Sequence, residues 1–174
     1  MVRRKLSETV KKMYADGLED ENFVMEAVKH TLGGECYKSS KRDDTVNHID
    51  FWWESPKKGL IGIDVKGRKR NKRSDKNYDD TISWIEILNV KGNPGWIYGK
   101  SEYIAFRTES QIIFVKTSVL REYTELKIKG KELVFDSPKD FYIPYQRKKY
   151  GRQDMMIKVP MEDLIKISDF TITT

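Results

Sequence analysis

The chain has 174 residues, a formal net charge of +6 and a single cysteine, Cys36. This length suits one domain with a substantial core and is short for two. One cysteine excludes an internal disulfide, and the two histidines, His30 and His48, exclude any zinc-ligand spacing. Because no segment resembles a signal peptide or a membrane span, we expect a single domain over residues 1–174 in a reducing, cytoplasmic compartment, with no membrane contact.

The first third of the chain predicts two helices followed by a β-hairpin. The helices are expected at 5–15 and 18–32, the second because apolar residues recur at helical spacing before Gly33–Gly34. A short strand and a polar, turn-rich stretch follow. Two β-prone runs, one starting near Val46 and one at Leu60, then flank a Pro- and Gly-containing turn, which predicts an antiparallel hairpin.

The rest of the chain predicts more strands of the same sheet and two short helices. Residues 67–80 have no apolar periodicity and predict a mobile loop. Strands are expected at 82–90, 103–108 and 112–117, the last two as a hairpin, with a helix at 118–126. Residues 127–174 predict short strands, loops and a helix start at 160–164. They would form an extension to a core of about residues 18–126.

The predicted hairpin brings two carboxylates together. If its turn is symmetric about Lys57, paired residue numbers sum to 114, which sets Asp50 opposite Asp64 and His48 opposite Lys66. Opposed residues have Cβ atoms about 4.5–5.5 Å apart, and two adjacent carboxylates repel unless a cation lies between them. Oxygen ligands of this kind suit Mg²⁺ or Mn²⁺.

Alternation along the two strands separates an apolar face from an acidic face. On the second strand the apolar face carries Ile61, Ile63 and Val65, and the acidic face carries Gly62, Asp64 and Lys66. On the first strand the corresponding sets are Ile49, Phe51 and Trp53, and His48, Asp50 and Trp52. The simplest alternative is that both aspartates are solvated strand residues with Lys66 as a neutralising neighbour.

A third acid is predicted on the preceding helix. Glu21 lies three, four and seven residues before Val24, Met25 and Val28, on the apolar stripe that faces the sheet. Its alternative role is to stabilise the positive end of its helix, an effect of about 0.3–1 kcal/mol.

These residues resemble the PD-(D/E)XK nuclease superfamily over about residues 18–117: a helical Glu21, Asp50 after His48–Ile49, and then Asp64–Val65–Lys66. Ile49 stands where the motif has Pro, and Asp64 where Glu is common. The resemblance implies an α/β fold with a restriction-endonuclease-like core, a mixed central sheet flanked by helices. It also implies Asp50, Asp64 and Glu21 as metal ligands and Lys66 as the residue that orients or activates the attacking water. Small Holliday junction resolvases and phage-encoded nucleases are similar in size and element order.

Two basic clusters predict contact with DNA phosphates. One follows Lys66 directly and comprises Arg68, Lys69, Arg70, Lys72 and Arg73. The other is interleaved with tyrosines and comprises Arg147, Lys148, Lys149 and Arg152; a nuclear-localisation signal is its alternative reading.

Two further polar residues have an open role. His48 is a candidate proton shuttle or supporting group, although a histidine beside two tryptophans is more often structural. Glu86 is a reserve metal ligand, although strands commonly carry one outward acid.

The sequence therefore predicts a Mg²⁺- or Mn²⁺-dependent DNA endonuclease acting on duplex or branched DNA in recombination, repair or a phage programme. Cleavage of both strands of a junction would require two sites and hence a homodimer. The rival classes are a noncatalytic nucleic-acid-binding module that retains the fold, and a virion-associated or scaffolding protein.

Overall fold

The part of the chain that the structure describes forms two β-sheets and three α-helices. The computed structural model describes residues 8–70, 75–136, 138–146 and 151–174. The helices are α1 (Glu8–Leu32), α2 (Thr117–Ile128) and α3 (Met161–Lys166). The strands are β1 (Glu35–Lys38), β2 (Phe51–Ser55), β3 (Gly59–Lys66), β4 (Ile82–Leu88), β5 (Tyr103–Arg107), β6 (Gln111–Lys116), β7 (Tyr145–Gln146), β8 (Met155–Pro160) and β9 (Phe170–Thr173).

The larger sheet has six strands in the order β1-β2-β3-β5-β6-β9, and the smaller has three in the order β4-β8-β7. In the larger sheet β3 and β5 run parallel, and the other neighbours are antiparallel. The prediction of an α/β protein with a mixed central sheet is confirmed at this level. The prediction that residues 82–90 join that sheet is wrong, since β4 pairs with β8.

Two apolar clusters cover opposite faces of the six-stranded sheet. On one face Val24 and Val28 of α1 pack with Ile63 of β3. On the other face Ile104 of β5 packs with Ile157 of β8, in a cluster that includes residues of α2 and α3. The six-stranded sheet is therefore covered by α1 on one side and by the small sheet with two helices on the other. Residues after 128 contribute side chains to both clusters.

The N-terminal part of the chain differs from the prediction of two helices. The described residues form one helix that continues through Gly17. A single glycine inside a helix costs about 1 kcal/mol relative to alanine, and the burial of Val24 and Val28 against the sheet outweighs that cost. No helix in the described part of the chain could cross a lipid bilayer.

The hairpin of β2 and β3 has the predicted register. Its five pairs run from Phe51–Ile63 to Ser55–Gly59, and each pair of numbers sums to 114. Gly59 closes the turn with φ +78°, a conformation that costs glycine nothing. Symmetry about Lys57 is therefore confirmed.

The predicted start of the first strand near Val46 is wrong. Asp43–Asn47 form one turn of π-helix, and His48 follows with a left-handed φ of 53°. Short polar side chains stabilise this turn: the Asp43 N–H donates to Ser40 Oγ, and Asn47 Nδ2 donates to Asp43 Oδ1 at 2.8 Å. Such local hydrogen bonds compete with strand formation, so His48 has no strand partner and the predicted pairing with Lys66 does not form.

Candidate active site

Asp50 and Asp64 meet where the hairpin leaves regular pairing. The Asp50 N–H donates to the carbonyl of Ile63, whose strand partner is Phe51. The Asp50 side chain then takes the place of a backbone acceptor, because its Oδ2 accepts the N–H of Val65 at 2.6 Å. Asp64 lies inside β3 and is 2% exposed. The two predicted acids therefore come together at the end of a rigid strand pair.

Lys66 lies on the same side of β3 as Asp64. Its Nζ is 2.6 Å from Asp64 Oδ1 and 4.5 Å from the centre of the Trp96 ring. Trp96 is 8% exposed and belongs to the core cluster beneath the small sheet. A carboxylate and an aromatic face thus hold the ammonium in one position, so Trp96 borders the candidate site.

Burial raises the pKa values of both carboxyl groups. The pKa of Asp50 rises to about 7, first because of desolvation and then because of the charge on Asp64, with Lys66 opposing. Desolvation also raises the pKa of Asp64, and Lys66 opposes it. When Asp50 is protonated, it can donate a hydrogen bond to Asp64. Without a cation, the pair therefore retains a proton near neutral pH.

The carboxyl pair fits a divalent cation. Asp64 Oδ2 is buried and has no hydrogen-bond donor among the described residues, and a buried carboxylate oxygen requires a proton or a cation. Mg²⁺ binds through one or two carboxylates and keeps several waters. Within the described residues no group of three or more His, Cys, Asp or Glu side chains is arranged to hold a metal ion. A cation at this place would therefore be held by the Asp50–Asp64 pair.

Glu21 lies near this pair but is held by a lysine. Its carboxylate accepts a hydrogen bond from Lys38 Nζ at 3.0 Å. Desolvation raises the pKa of Glu21, the hydrogen bond from Lys38 lowers it, and the charge on Asp50 raises it further. The helix thus presents Glu21 to the side of the site where Asp50 lies, and its role as a third ligand remains a prediction.

Asp20 is a second helical acid beside the site. Its carboxylate lies against Gly67, where a Cβ would approach Asp20 Oδ2 to 1.7 Å. Asp20 Oδ1 accepts a hydrogen bond from Arg107 at 2.6 Å. Desolvation raises the pKa of Asp20, and Arg107 and Lys69 lower it. The helical spacing of apolar residues predicts only Glu21 at the site. The contact between α1 and the residues after β3 places Asp20 there as well.

Lys69, predicted as a DNA contact, belongs to this same cluster. Desolvation lowers the pKa of its ammonium group to about 8, and so does Lys66, while Asp20 and Asp64 raise it. Lys69 therefore lies among the site's charges and is partly buried. The candidate site therefore includes Lys69 in addition to Lys66, the single lysine of the PD-(D/E)XK motif.

His48 and Glu86 border the site from different elements. Desolvation lowers the pKa of His48, Lys66 lowers it further, and Asp50 opposes both. Gly99 packs closely on His48, since a Cβ there would lie 2.7 Å from His48 Cβ. Glu86 on β4 has a pKa raised by desolvation and lowered by Lys66. The charge on Lys66 therefore affects the pKa values of both residues, which is consistent with their predicted position next to the metal ligands.

Three of the remaining basic candidates are engaged by side chains of the protein itself: Arg68, Arg70 and Arg152. Arg68 pairs with Asp80 at 2.8 Å, and its guanidinium lies 4.9 Å from the ring of Tyr78. Arg70 lies 4.3 Å from the same ring. Arg152 donates two hydrogen bonds to the buried Asp154. The other candidates lie outside the described residues: Lys72, Arg73, Arg147, Lys148 and Lys149.

No protein-family model, curated protein or solved structure matches the chain.

Proposed function

We propose that this protein is a divalent-metal-dependent nuclease that hydrolyses phosphodiester bonds at the Asp50–Asp64 pair. One observation carries the proposal: Asp64 is buried next to a second carboxyl and a lysine, and its Oδ2 has no donor among the described residues. A carboxylate in this state destabilises the fold unless a proton or a cation neutralises it, and such groups are concentrated at functional sites. The resemblance of Asp50 and Asp64–Val65–Lys66 to the PD-(D/E)XK motif supports the same reaction.

The two carboxylates would hold Mg²⁺ or Mn²⁺, which supplies Lewis acidity toward a phosphate oxygen when bound. The ammonium of Lys66, fixed between Asp64 and Trp96, would stabilise negative charge that develops on the phosphate. His48 would hold a neutral imidazole beside Lys66, because desolvation lowers its pKa. It is therefore able to accept a proton at neutral pH.

A restriction-endonuclease-like arrangement is the fold that we infer for this chain. The order of the elements supports this inference: a helix is followed by a β-hairpin and then by a parallel strand. In this arrangement α1 packs on β3, and β3 pairs in parallel with β5. The inference that the substrate is duplex or branched DNA rests on the basic composition of the chain and on the resemblance to the PD-(D/E)XK motif. A homodimer is required only if both strands of a junction are cut.

The test is cleavage of labelled linear duplex, single-stranded and four-way-junction DNA with Mg²⁺, Mn²⁺ or EDTA. Wild type should cut with metal and not with EDTA. Asp64→Asn should lose about 100-fold or more of the rate, as removal of a site's electrostatic groups does. Glu162→Gln, which neutralises an exposed acid of α3, is the matched control and should cut like wild type. Cutting that persists in Asp64→Asn would remove the carboxyl pair from the reaction.

A noncatalytic nucleic-acid-binding module is the second candidate. It is favoured by the fact that the site neutralises its own acids: Lys66 pairs with Asp64 and Lys38 with Glu21. Such a module would bind DNA equally in Mg²⁺ and EDTA and would cut none of the substrates. The same assay therefore separates the two functions.

A further inference from the structure

A cavity of about 540 Å³ lies at the opposite end of β3 from the carboxyl pair. It is formed where β3 and β5 begin and β6 ends, and Leu60, Glu102 and Thr117 contribute to its wall. Its volume is in the range of small-ligand sites. The cavity is referred to below as the cationic pocket.

The pocket is lined by four cations, Lys58, Lys100, Lys116 and Arg121, and by one acid, Glu102. That acid is already engaged, because its Oε2 accepts the N–H of Gly62 at 2.6 Å. Lys58 and Lys116 share one outside partner, Asp169, at 3.9 and 3.3 Å. The pocket and its immediate partners thus retain a net positive charge, which favours an anion.

Other groups in the wall suit a phosphate attached to an apolar body. The first turn of α2 lies in the wall through Thr117 and Ser118, and the N-terminal end of a helix carries partial positive charge. Leu60 is 57% exposed although it is aliphatic, and it lines the pocket beside Lys58. A sugar or base could pack on Leu60 while the lysines contact the phosphate.

Contacts of the backbone at Gly99 and Lys100 connect the pocket to the candidate active site. Gly99 lines the pocket and also packs on His48, and the N–H of Lys100 donates to the carbonyl of Asn47 at 2.7 Å. Leu60 precedes Asp64 by four residues on β3, a separation of about 13 Å at about 3.3 Å per residue. One turn of duplex DNA rises about 34 Å, so the pocket lies within one helical turn of the carboxyl pair.

We propose that the cationic pocket binds an internal backbone phosphate of the nucleic-acid strand whose scissile bond lies at Asp50 and Asp64, within one helical turn of that bond. The proposal rests on the nuclease function proposed above, because it places the cut bond at the carboxyl pair. The pocket would set the register of the strand and would contribute affinity that does not depend on sequence.

The experiment measures binding of a fluorescein-labelled duplex by anisotropy across a range of salt concentrations. All proteins carry Asp64→Asn, so that the substrate stays intact. The pocket variant adds Lys58→Gln and Lys100→Gln, which remove two exposed cations of the pocket. The control adds Lys91→Gln and Lys129→Gln, which remove two exposed lysines that do not line it. Thermal unfolding verifies that every variant is folded.

The pocket variant should bind about threefold or more weakly than the control, and its salt slope should fall by about 0.9, the contribution of one phosphate contact to duplex DNA. A neutral methylphosphonate, moved one position at a time through the nucleotides within one helical turn of the cut bond, should weaken binding to the parent protein at one position and have no further effect on the pocket variant there. A pocket variant that binds like the control would overturn the proposal.

A second comparison distinguishes an internal phosphate from a terminal one. If a 5′-phosphate strengthens binding only when the pocket is intact, and internal methylphosphonates have no effect, the internal assignment is wrong. Failure of the proposed nuclease function has a different signature, which is the absence of metal-dependent cutting by the protein with Asp64 intact. The binding assay reports on the pocket in either case.

Discussion

The two faces of β3 show how one strand contributes to both the core and the candidate active site. On one face Ile61, Ile63 and Val65 are buried against α1. On the other face Asp64 is equally buried, at 2% exposure, yet it is charged and lies next to Lys66. Burial on the first face stabilises the protein, whereas burial on the second raises the pKa values of its acids.

The comparison teaches that a buried position in this strand has two different physical consequences. An apolar side chain gains about 25 cal/mol for each Å² that it removes from water. A carboxyl group at an equivalent depth loses solvation and must recover it from a proton, a lysine or a cation. Substitutions on the two faces should therefore change different observables.

The largest expected effect on stability is that of Ile63→Ala, on the apolar face. Ile63 is fully buried, so its truncation should lower the free energy of unfolding by about 2–5 kcal/mol. Urea unfolding monitored by circular dichroism measures the change. Leu60→Ala on the same strand is the matched control, and its 57% exposure predicts a much smaller loss. Equal losses at both positions would contradict the division between faces.

The next effect is the dependence of stability on pH, which originates on the acidic face. Asp50 has a pKa of about 7 in the folded chain and an ordinary value of 3.8, so the folded state binds more protons between these values. In metal-free buffer the stability contributed by Asp50 is fully present below about pH 4 and is lost as the pH rises through 7.

Thermal unfolding of wild type and Asp50→Asn in EDTA between pH 5 and pH 8 tests this sign. The midpoint of wild type should fall relative to that of the variant by about 3 °C or more, since one pKa unit corresponds to about 1.4 kcal/mol. His48 acts in the opposite direction because its pKa is lowered, and the comparison with the variant removes its contribution. A wild-type midpoint that rises relative to that of Asp50→Asn would reverse the assignment.

A smaller effect is expected at Trp96, which joins the two regions. Its ring packs in the core and also contacts the Lys66 ammonium at 4.5 Å. Contacts of this kind contribute about 0.5–2 kcal/mol. Trp96→Leu should therefore reduce the maximal cleavage rate several-fold, while Trp96→Phe, which keeps an aromatic face, should retain more of it. If the two variants lose the same fraction of the rate and of stability, Trp96 has only a packing role.

The smallest effect is expected for Lys38→Met, which releases Glu21. The ion pair between these residues is partly exposed and should contribute about 0.2–1 kcal/mol to stability. If Glu21 contacts the metal, the freed carboxylate should tighten Mn²⁺ binding, as measured by calorimetry. Unchanged Mn²⁺ affinity in Lys38→Met, together with unchanged affinity in Glu21→Gln, would exclude that role.

The hairpin could be predicted from sequence because its signals are local. Alternation from Ile61 to Lys66 and the symmetric turn at Lys57 both lie within one short segment, and the register was correct. The start of β2 was missed because hydrogen bonds among Ser40, Asp43 and Asn47 favour a π-helical turn there. The composition of the run suggested a strand, but local polar contacts determined its conformation.

The rest of the site depends on contacts between distant segments. Asp20 reaches the site because α1 packs across β3, and the contacts that fix it are with Gly67 and Arg107. Trp96 reaches Lys66 through the chain between β4 and β5. The assignment of β4 to a second sheet depends on its pairing with β8, more than sixty residues later. No local pattern reports such pairings, so these features emerge only from the structure.

The central claim is that Asp50 and Asp64 form a divalent-cation site, and Mn²⁺ binding measured by isothermal titration calorimetry tests it most directly. At pH 8, above the pKa of Asp50, wild type should bind Mn²⁺ saturably, and Asp64→Asn should bind it about tenfold or more weakly. At pH 5.5 the affinity of wild type should fall, because the cation must displace a proton from the pair. Absence of saturable binding by wild type at pH 8, or equal binding by Asp64→Asn, would contradict the claim.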